Sequence, residues 1–184
     1  LREALDLFRV AQARFGSALT AFEFIPAIAM DFVTRHIAAT RRPFTVLHPW
    51  YVLIDVSSPA ADGRVMAQLE ETLSSAMGDR LVIDAVIARS GQQARELWRL
   101  REEISDAQKF EGGSIKHDIS VPVPLIAAFV ERADAIVERL VPGARPVPFG
   151  HFGDGNVHYN VSQPPGADKA RFLAMWETVS HEIH

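Results

Sequence analysis

The sequence predicts an α+β domain, an antiparallel or mixed sheet with helices packed mainly on one face. Three observations lead there. Segments of helical and strand periodicity alternate along the chain. Several strand candidates keep one polar face, which suits a sheet with an open side. No glycine-rich turn joins a strand to a helix in the dinucleotide pattern, because "GDGNVH" echoes GxG but runs into a strand.

The elements follow in order. "LREALDLFRVAQARFG" repeats apolar residues at helical spacing (Leu5, Phe8, Ala11, Phe15) and stops at Gly16. "ALTAFEFI" reads as a strand, and Pro26 opens a helix through about Ala38. "RRPFTVLHP" is a loop, "WYVLIDVSS" a strand, and an amphipathic helix lies between Asp62 and Gly78. "RLVIDAVIA" is the next expected strand, and Ser90 caps a long helix, "GQQARELWRLREEISDAQKF". "SIKHDISVP" alternates, with Ile115, His117, Ile119 and Val121 on one face and Lys116, Asp118 and Ser120 on the other. Pro124 starts the helix "LIAAFVERADAIVERL", "RPVPFGHFG" and "NVHYNVS" pair around a glycine turn, and "ADKARFLAMWETVSHEIH" is the last helix.

Composition narrows the function classes. The chain has 184 residues, the length of one domain, with 48% hydrophobic and 23% charged residues. A net charge of -4 without a basic run argues against nucleic acid as the main partner. The absence of cysteine excludes a disulfide framework, thiolate metal sites and a cysteine nucleophile, and a cytoplasmic location is expected. No apolar run reaches the ~18 residues of a membrane span, and no signal-peptide pattern opens the chain. The sequence begins at Leu1 rather than Met and stops at "VSHEIH" within a helical pattern, so it reads as a piece of a longer polypeptide.

The chemistry concentrates in "GHFGDGNVHYN". On a strand, His158 and Asn160 share a face, and the turn at Gly153–Gly155 can fold His151 back beside His158. Two neutral imidazoles at a turn are two-thirds of a typical catalytic metal site, with Asp154 behind them or simply shaping the turn. The other reading is a tight Asp-Gly hairpin with two partly exposed histidines. Lys116 could aim an ammonium at a substrate carboxylate, or be a solvated lysine on the open sheet face. Arg101 lies off the charged stripe of its helix, beside Leu97 and Trp98. It needs an anionic partner, either a bound carboxylate or an intramolecular aspartate. His36, His48 and His117 read as surface or satisfied core histidines, and His181 and His184 as solvated. There is no nucleophile elbow and no P-loop.

"LWRLREEIS", "SIKHDISVP" and "GHFGDGNVHYN", in this order and spacing, closely resemble the C-terminal domain of the FAD-linked oxidases. D-lactate dehydrogenases, glycolate oxidase subunits and D-2-hydroxyglutarate dehydrogenases belong to that family. "HPWYVLIDVSS" and "ALTAFEFI" add weaker matches, so the resemblance runs from roughly Ala18 to the end. It implies a ferredoxin-like cap that, in a vanillyl-alcohol-oxidase-type flavoenzyme, covers the isoalloxazine and builds the substrate site. Residues 1–184 would then be this cap alone, with FAD held mainly by an N-terminal domain absent from the sequence.

The implied reaction oxidises a D-2-hydroxy acid to the 2-oxo acid, with hydride passing from the substrate Cα to flavin N5. In the hydroxyglutarate branch the two histidines of the signature, here His151 and His158, hold a divalent metal, usually zinc. The family's third ligand is a glutamate in a following "AEHG" segment whose histidine is the expected general base. Both lie beyond His184, so no catalytic residue is expected within the chain and the fragment alone should be inactive. The matching substrate residues are Arg101, Ser105, Lys116 and Asn160. His117 stands where hydroxyglutarate enzymes often carry an aromatic, which leaves the lactate and glycolate branches open. Expected partners are the hydroxy acid, the FAD domain and an electron acceptor, and a homodimer is compatible with them. The competing readings are a stand-alone metal-dependent hydrolase, which requires a third ligand within the chain, and a non-catalytic α+β binding or dimerisation module.

Overall fold

The computed structural model describes residues 1–58 and 63–184, so the expected helix start at Asp62 lies outside the described residues. The fold is α+β, built on an antiparallel open sheet. The strands are β1 (Leu19–Pro26), β2 (Trp50–Val56), β3 (Ser114–Ile115), β4 (Asp118–Ser120), β5 (Arg145–His151) and β6 (Asn156–Ser162), in spatial order β2-β1-β5-β6-β3. β4 also pairs with β6, so β3 and β4 form one interrupted edge along that strand.

Strand alternation divides the side chains of the sheet between two faces. Phe22, Phe24, Ile115, Val157, Tyr159 and Val161 belong to the larger core. That core is covered by α1 (Arg2–Phe15), α6 (Ile126–Leu140), α7 (Lys169–Leu173) and α8 (Trp176–Ile183), with α3 (Arg64–Gly78) packed on α1. Phe8, Phe22, Phe24 and Phe152 form an aromatic nest with ring centroids 5.1 to 5.9 Å apart. The opposite face carries Glu23, Ile25, Val147, Phe149, His151, His158 and Asn160. Its apolar part is covered by α2 (Ala27–His36), α4 (Gly91–Glu102) and α5 (Ile104–Ala107) through Met30, Phe32, Val33, Leu100, Ile104 and Ala107. Ile25, Val147 and Phe149 need that cover, whereas Lys116, Asp118 and Ser120 stay exposed.

Most expected elements form. Gly16 ends α1 with φ 52°, and Ser90 caps α4 by accepting from the Gln93 N–H at 3.2 Å. Three expectations are corrected. "RLVIDAVIA" is not a strand. The Leu81 and Val82 N–H groups both bond back to the Ala76 carbonyl, and Ile83 is 74% exposed, so this stretch follows α3 as an extended loop without a ladder partner. The long helix after Ser90 breaks at Glu103 into α4, α5 and a 3-10 turn at Gln108–Glu111. The last helix breaks at Ala174 and Met175, so that both Phe172 and Val179 reach the core.

Glycine is required at Gly155, at the end of the β5–β6 turn. Its φ is 74°, and a Cβ there would collide with the Val121 carbonyl oxygen. Gly155 and Val121 are in backbone contact, with the Val121 N–H donating to the Gly155 carbonyl at 3.0 Å, so the turn is clamped to the end of β4.

Candidate functional site

The polar part of the second sheet face gathers the candidate residues. The β5–β6 register sets Phe149 opposite His158, Val147 opposite Asn160 and His151 opposite Asn156. His151 and His158 are therefore diagonal neighbours on one face, with ring centroids 5.9 Å apart. β4 brings Asp118 opposite His158, and β1 brings Glu23 opposite His151. Lys116 falls between the paired positions Ser114–Ser162 and Asp118–His158, at the level of Asn160 on the same face, and is exposed.

α4 supplies Arg101. The helix is tied to the sheet by the Trp98 indole N–H, which donates to Asp55 Oδ2 at 2.8 Å, and by buried Leu100. Arg101 Nε donates to Glu23 Oε2 at 2.8 Å, and the guanidinium lies 4.6 Å from the centre of the Phe149 ring. The anionic partner that Arg101 needs is thus a glutamate of β1, not an aspartate. Burial lowers the arginine's pKa, and the Glu23 carboxylate opposes that shift. Phe149 in turn packs on His158, ring centroids 5.0 Å apart. Burial and the nearby Arg101 charge push the His158 pKa down, with Asp118 pulling the other way, which favours the neutral imidazole a metal ligand needs.

Each histidine has a carboxylate behind it. His151 Nδ1 lies 2.5 Å from Glu23 Oε1, and His158 Nδ1 lies 3.3 Å from Asp118 Oδ1. An ionised carboxylate only accepts, so this contact uses Nδ1 of His151 as the donor and turns Nε2 toward the open side of the site. Metal-binding histidines are commonly backed this way.

The donor set is nevertheless incomplete. Among the described residues no three His, Asp or Glu side chains are grouped to hold a metal ion. Glu23 divides its oxygens between Arg101 and His151, so the expected metal at His151 and His158 has two imidazole donors here and no third. The residues supply two of the three protein ligands of a typical catalytic metal site.

Asn160 is buried, and its Nδ2 donates to Gln108 Oε1 at 2.8 Å, while Gln108 Nε2 donates to Ser162 Oγ at 3.2 Å. Ser105 is half-buried on α5, four residues beyond Arg101. Asp154 shapes the turn by accepting from the Asn156 N–H at 3.0 Å, which is its local reading. His117 faces the other way, between the Tyr159 carbonyl at 2.8 Å and Ser180 Oγ at 3.1 Å. Its identity therefore bears on the core and not on this site. An apolar groove of about 630 Å³ between β2, the 81–88 loop and α4 contains none of the candidate residues.

Glu23 and Gln108 were missed from the sequence. A lone carboxylate between Phe22 and Phe24 in an apolar strand was a usable signal, because a charge at a buried position needs a partner. Gln108 gave none, since a glutamine near a helix end reads as surface.

An α+β domain with helices on both faces of its sheet, and with a histidine pair and a buried arginine gathered on one of them, agrees with the family that the three sequence segments resemble. The whole chain, residues 1–184, matches the family described as FAD linked oxidases, C-terminal domain, and the chain belongs to it. Among curated relatives, it is 36% identical over 164 residues to a D-2-hydroxyglutarate dehydrogenase of Xanthomonas citri pv. viticola, covering 88% of this chain and 33% of that protein. It is 35% identical over 164 residues to the mitochondrial D-2-hydroxyglutarate dehydrogenase of Rattus norvegicus, covering 87% of this chain and 29% of that protein. The corresponding Arabidopsis thaliana protein is 35% identical over 159 residues, 86% of this chain and 28% of its own length. The chain thus spans about a third of the length of these relatives. Among the described residues, no helix is long and apolar enough to cross a membrane.

Proposed function

We propose that this chain is the substrate-binding cap of an FAD-dependent dehydrogenase that oxidises a D-2-hydroxy acid to the 2-oxo acid, with D-2-hydroxyglutarate the first candidate. The observation that carries the reading is the cluster on one sheet face of His151 and His158, each backed by a carboxylate, beside the buried Arg101. The names of the relatives support the substrate class.

In this reading Arg101 and Lys116 bind the carboxylates of the substrate, the arginine as a fork held in place and the lysine as a mobile point charge. Asn160 offers its amide oxygen, since its NH₂ group is engaged by Gln108. Ser105, half-buried on α5, adds a hydroxyl. His151 and His158 would hold a divalent metal, zinc by the chemistry of two imidazoles and a carboxylate, with the third donor and the proton-accepting base supplied from outside this chain. Such a metal, when bound, polarises hydroxyl and carboxylate oxygens as a Lewis acid. FAD, when bound, would supply the hydride acceptor, and Arg101, Lys116 and Asn160 would hold the substrate in place for it. The apolar cover over Ile25, Val147 and Phe149 keeps water from the inner wall of the site. The lack of cysteine suits a cytoplasmic location.

The test uses the full-length flavoprotein under anaerobic conditions. D-2-hydroxyglutarate, D-lactate, D-malate and glycolate are added in turn while the flavin absorbance is followed. Bleaching by one acid, lost with chelator or in His158→Ala, supports the reading and names the substrate. No bleaching by any of them in flavin-loaded protein rejects it.

A further inference from the structure

We propose that Glu23 is a positioning residue, one buried carboxylate that orients the Arg101 guanidinium and the His151 imidazole as a single unit. The inference rests on the site reading above and adds a residue to it. Glu23 sits in the middle of β1 and is only 2% exposed, with Phe22 and Phe24 on the opposite face. Its Oε1 lies 2.5 Å from His151 Nδ1, and its Oε2 accepts from Arg101 Nε at 2.8 Å. Both oxygens are therefore committed, one to each of the two groups that the proposed chemistry needs.

The consequences are specific. Engaging Nδ1 fixes the His151 tautomer and leaves Nε2 as its donor atom toward a ligand. Bonding Arg101 through Nε grips the guanidinium by its inner edge, while Phe149 supports its flat face at 4.6 Å. The two terminal nitrogens then suit a bidentate bond to a carboxylate. A rigid strand carries the glutamate, so both partners take their position from the sheet rather than from a loop. Stability alone is a poor account of this arrangement, because a buried ion pair is often no more stabilising than apolar side chains of the same volume.

The experiment compares Glu23→Gln with His151→Ala and His158→Ala in the full-length holoprotein. Three quantities are read: zinc affinity by competition with a chromophoric chelator, 2-oxoglutarate affinity by the flavin difference spectrum, and the melting temperature. Glu23→Gln should weaken zinc about 10–100-fold, weaken 2-oxoglutarate in parallel, and keep its flavin. Added to His151→Ala, it should cost no further zinc affinity. If Glu23→Gln binds both ligands within about twofold of the parent, while the histidine variants lose zinc, this proposal is overturned and the site reading stands. If the histidine variants also bind zinc and reduce flavin normally, the site reading fails and takes the proposal with it. Should Glu23→Gln not retain flavin, Glu23→Asp, which keeps the charge but shortens its reach, should show the same paired losses. Failure of both variants to retain flavin assigns Glu23 to the fold alone and overturns the proposal.

Discussion

Asn160 Nδ2 donates to Gln108 Oε1 at 2.8 Å, and the same glutamine reaches Ser162 Oγ at 3.2 Å, so one side chain of the 3-10 turn satisfies two buried groups of β6. Gln108→Leu should remove both bonds at similar volume. Stranding buried polar groups costs about 1–3 kcal/mol each, so the urea midpoint should fall clearly with an unchanged m-value. A midpoint equal to that of the parent would mean that Asn160 and Ser162 do not depend on Gln108.

Arg101 and Lys116 should separate cleanly on mutation, although both are expected to meet substrate carboxylates. Arg101→Ala leaves Glu23 buried with one partner fewer, at a cost of roughly 3–5 kcal/mol. Lys116 is exposed, so Lys116→Ala should change stability by less than about 0.5 kcal/mol. Any rise in substrate KM in Lys116→Ala then reports binding and not unfolding. Denaturant curves alongside steady-state kinetics check both.

The Tyr159 hydroxyl donates to Asp134 Oδ1 of α6 at 2.7 Å. Burial raises the Asp134 pKa above its ordinary 3.8, and the tyrosine's hydrogen bond offsets part of that. Between the unfolded and folded values the native state binds more protons. The contribution is therefore full below the unfolded pKa and is lost as pH rises through the folded one. Asp134→Asn keeps an acceptor without the charge, so it should be more stable than the parent at pH 7 and lose that advantage near pH 4 or below. Paired unfolding curves across this range test it.

His117 behaves in the opposite sense. Burial lowers its pKa below 6.5, the hydrogen bond to the Tyr159 carbonyl opposes this, and the neighbouring His184 adds to the lowering. The unfolded state then takes up a proton first as pH falls. His117 costs nothing above the unfolded pKa and destabilises progressively below it. The drop in unfolding free energy from pH 7.5 to 5.5 should be smaller in His117→Phe than in the parent.

Gly155→Ala should destabilise by more than about 1 kcal/mol, since φ is 74° and the new methyl meets the Val121 carbonyl. The turn it ends spaces His151 from His158, so zinc affinity in the full-length protein should fall as well. Gly153→Ala, where nothing lies within 4 Å of the added carbon, is the control.

Local periodicity carried most of the fold. The strand "ALTAFEFI", the Ser90 cap and the His151–His158 hairpin were all legible, because each is set by neighbours within a few residues. "RLVIDAVIA" misled for the same reason. Its composition suits a strand, but a strand also needs a free ladder partner, and its first amides turn back on α3 instead. The break at Glu103 was equally hidden. Uninterrupted helical composition continues through it, and only packing of Ile104 and Ala107 against α2 calls for a new axis.

By itself, then, the sequence determined the element types, the polar face shared by Lys116 and Asp118, and the two histidines that meet at a turn. Tertiary structure decided who stands behind them. Glu23 meets Arg101 across 78 residues and His151 across 128, and Asn160 meets Gln108 across 52. Alternation along a strand assigns a residue to a face. Which residues become neighbours on that face depends on strand order, register and the helix that covers it, and those are settled only when the whole chain has closed its core.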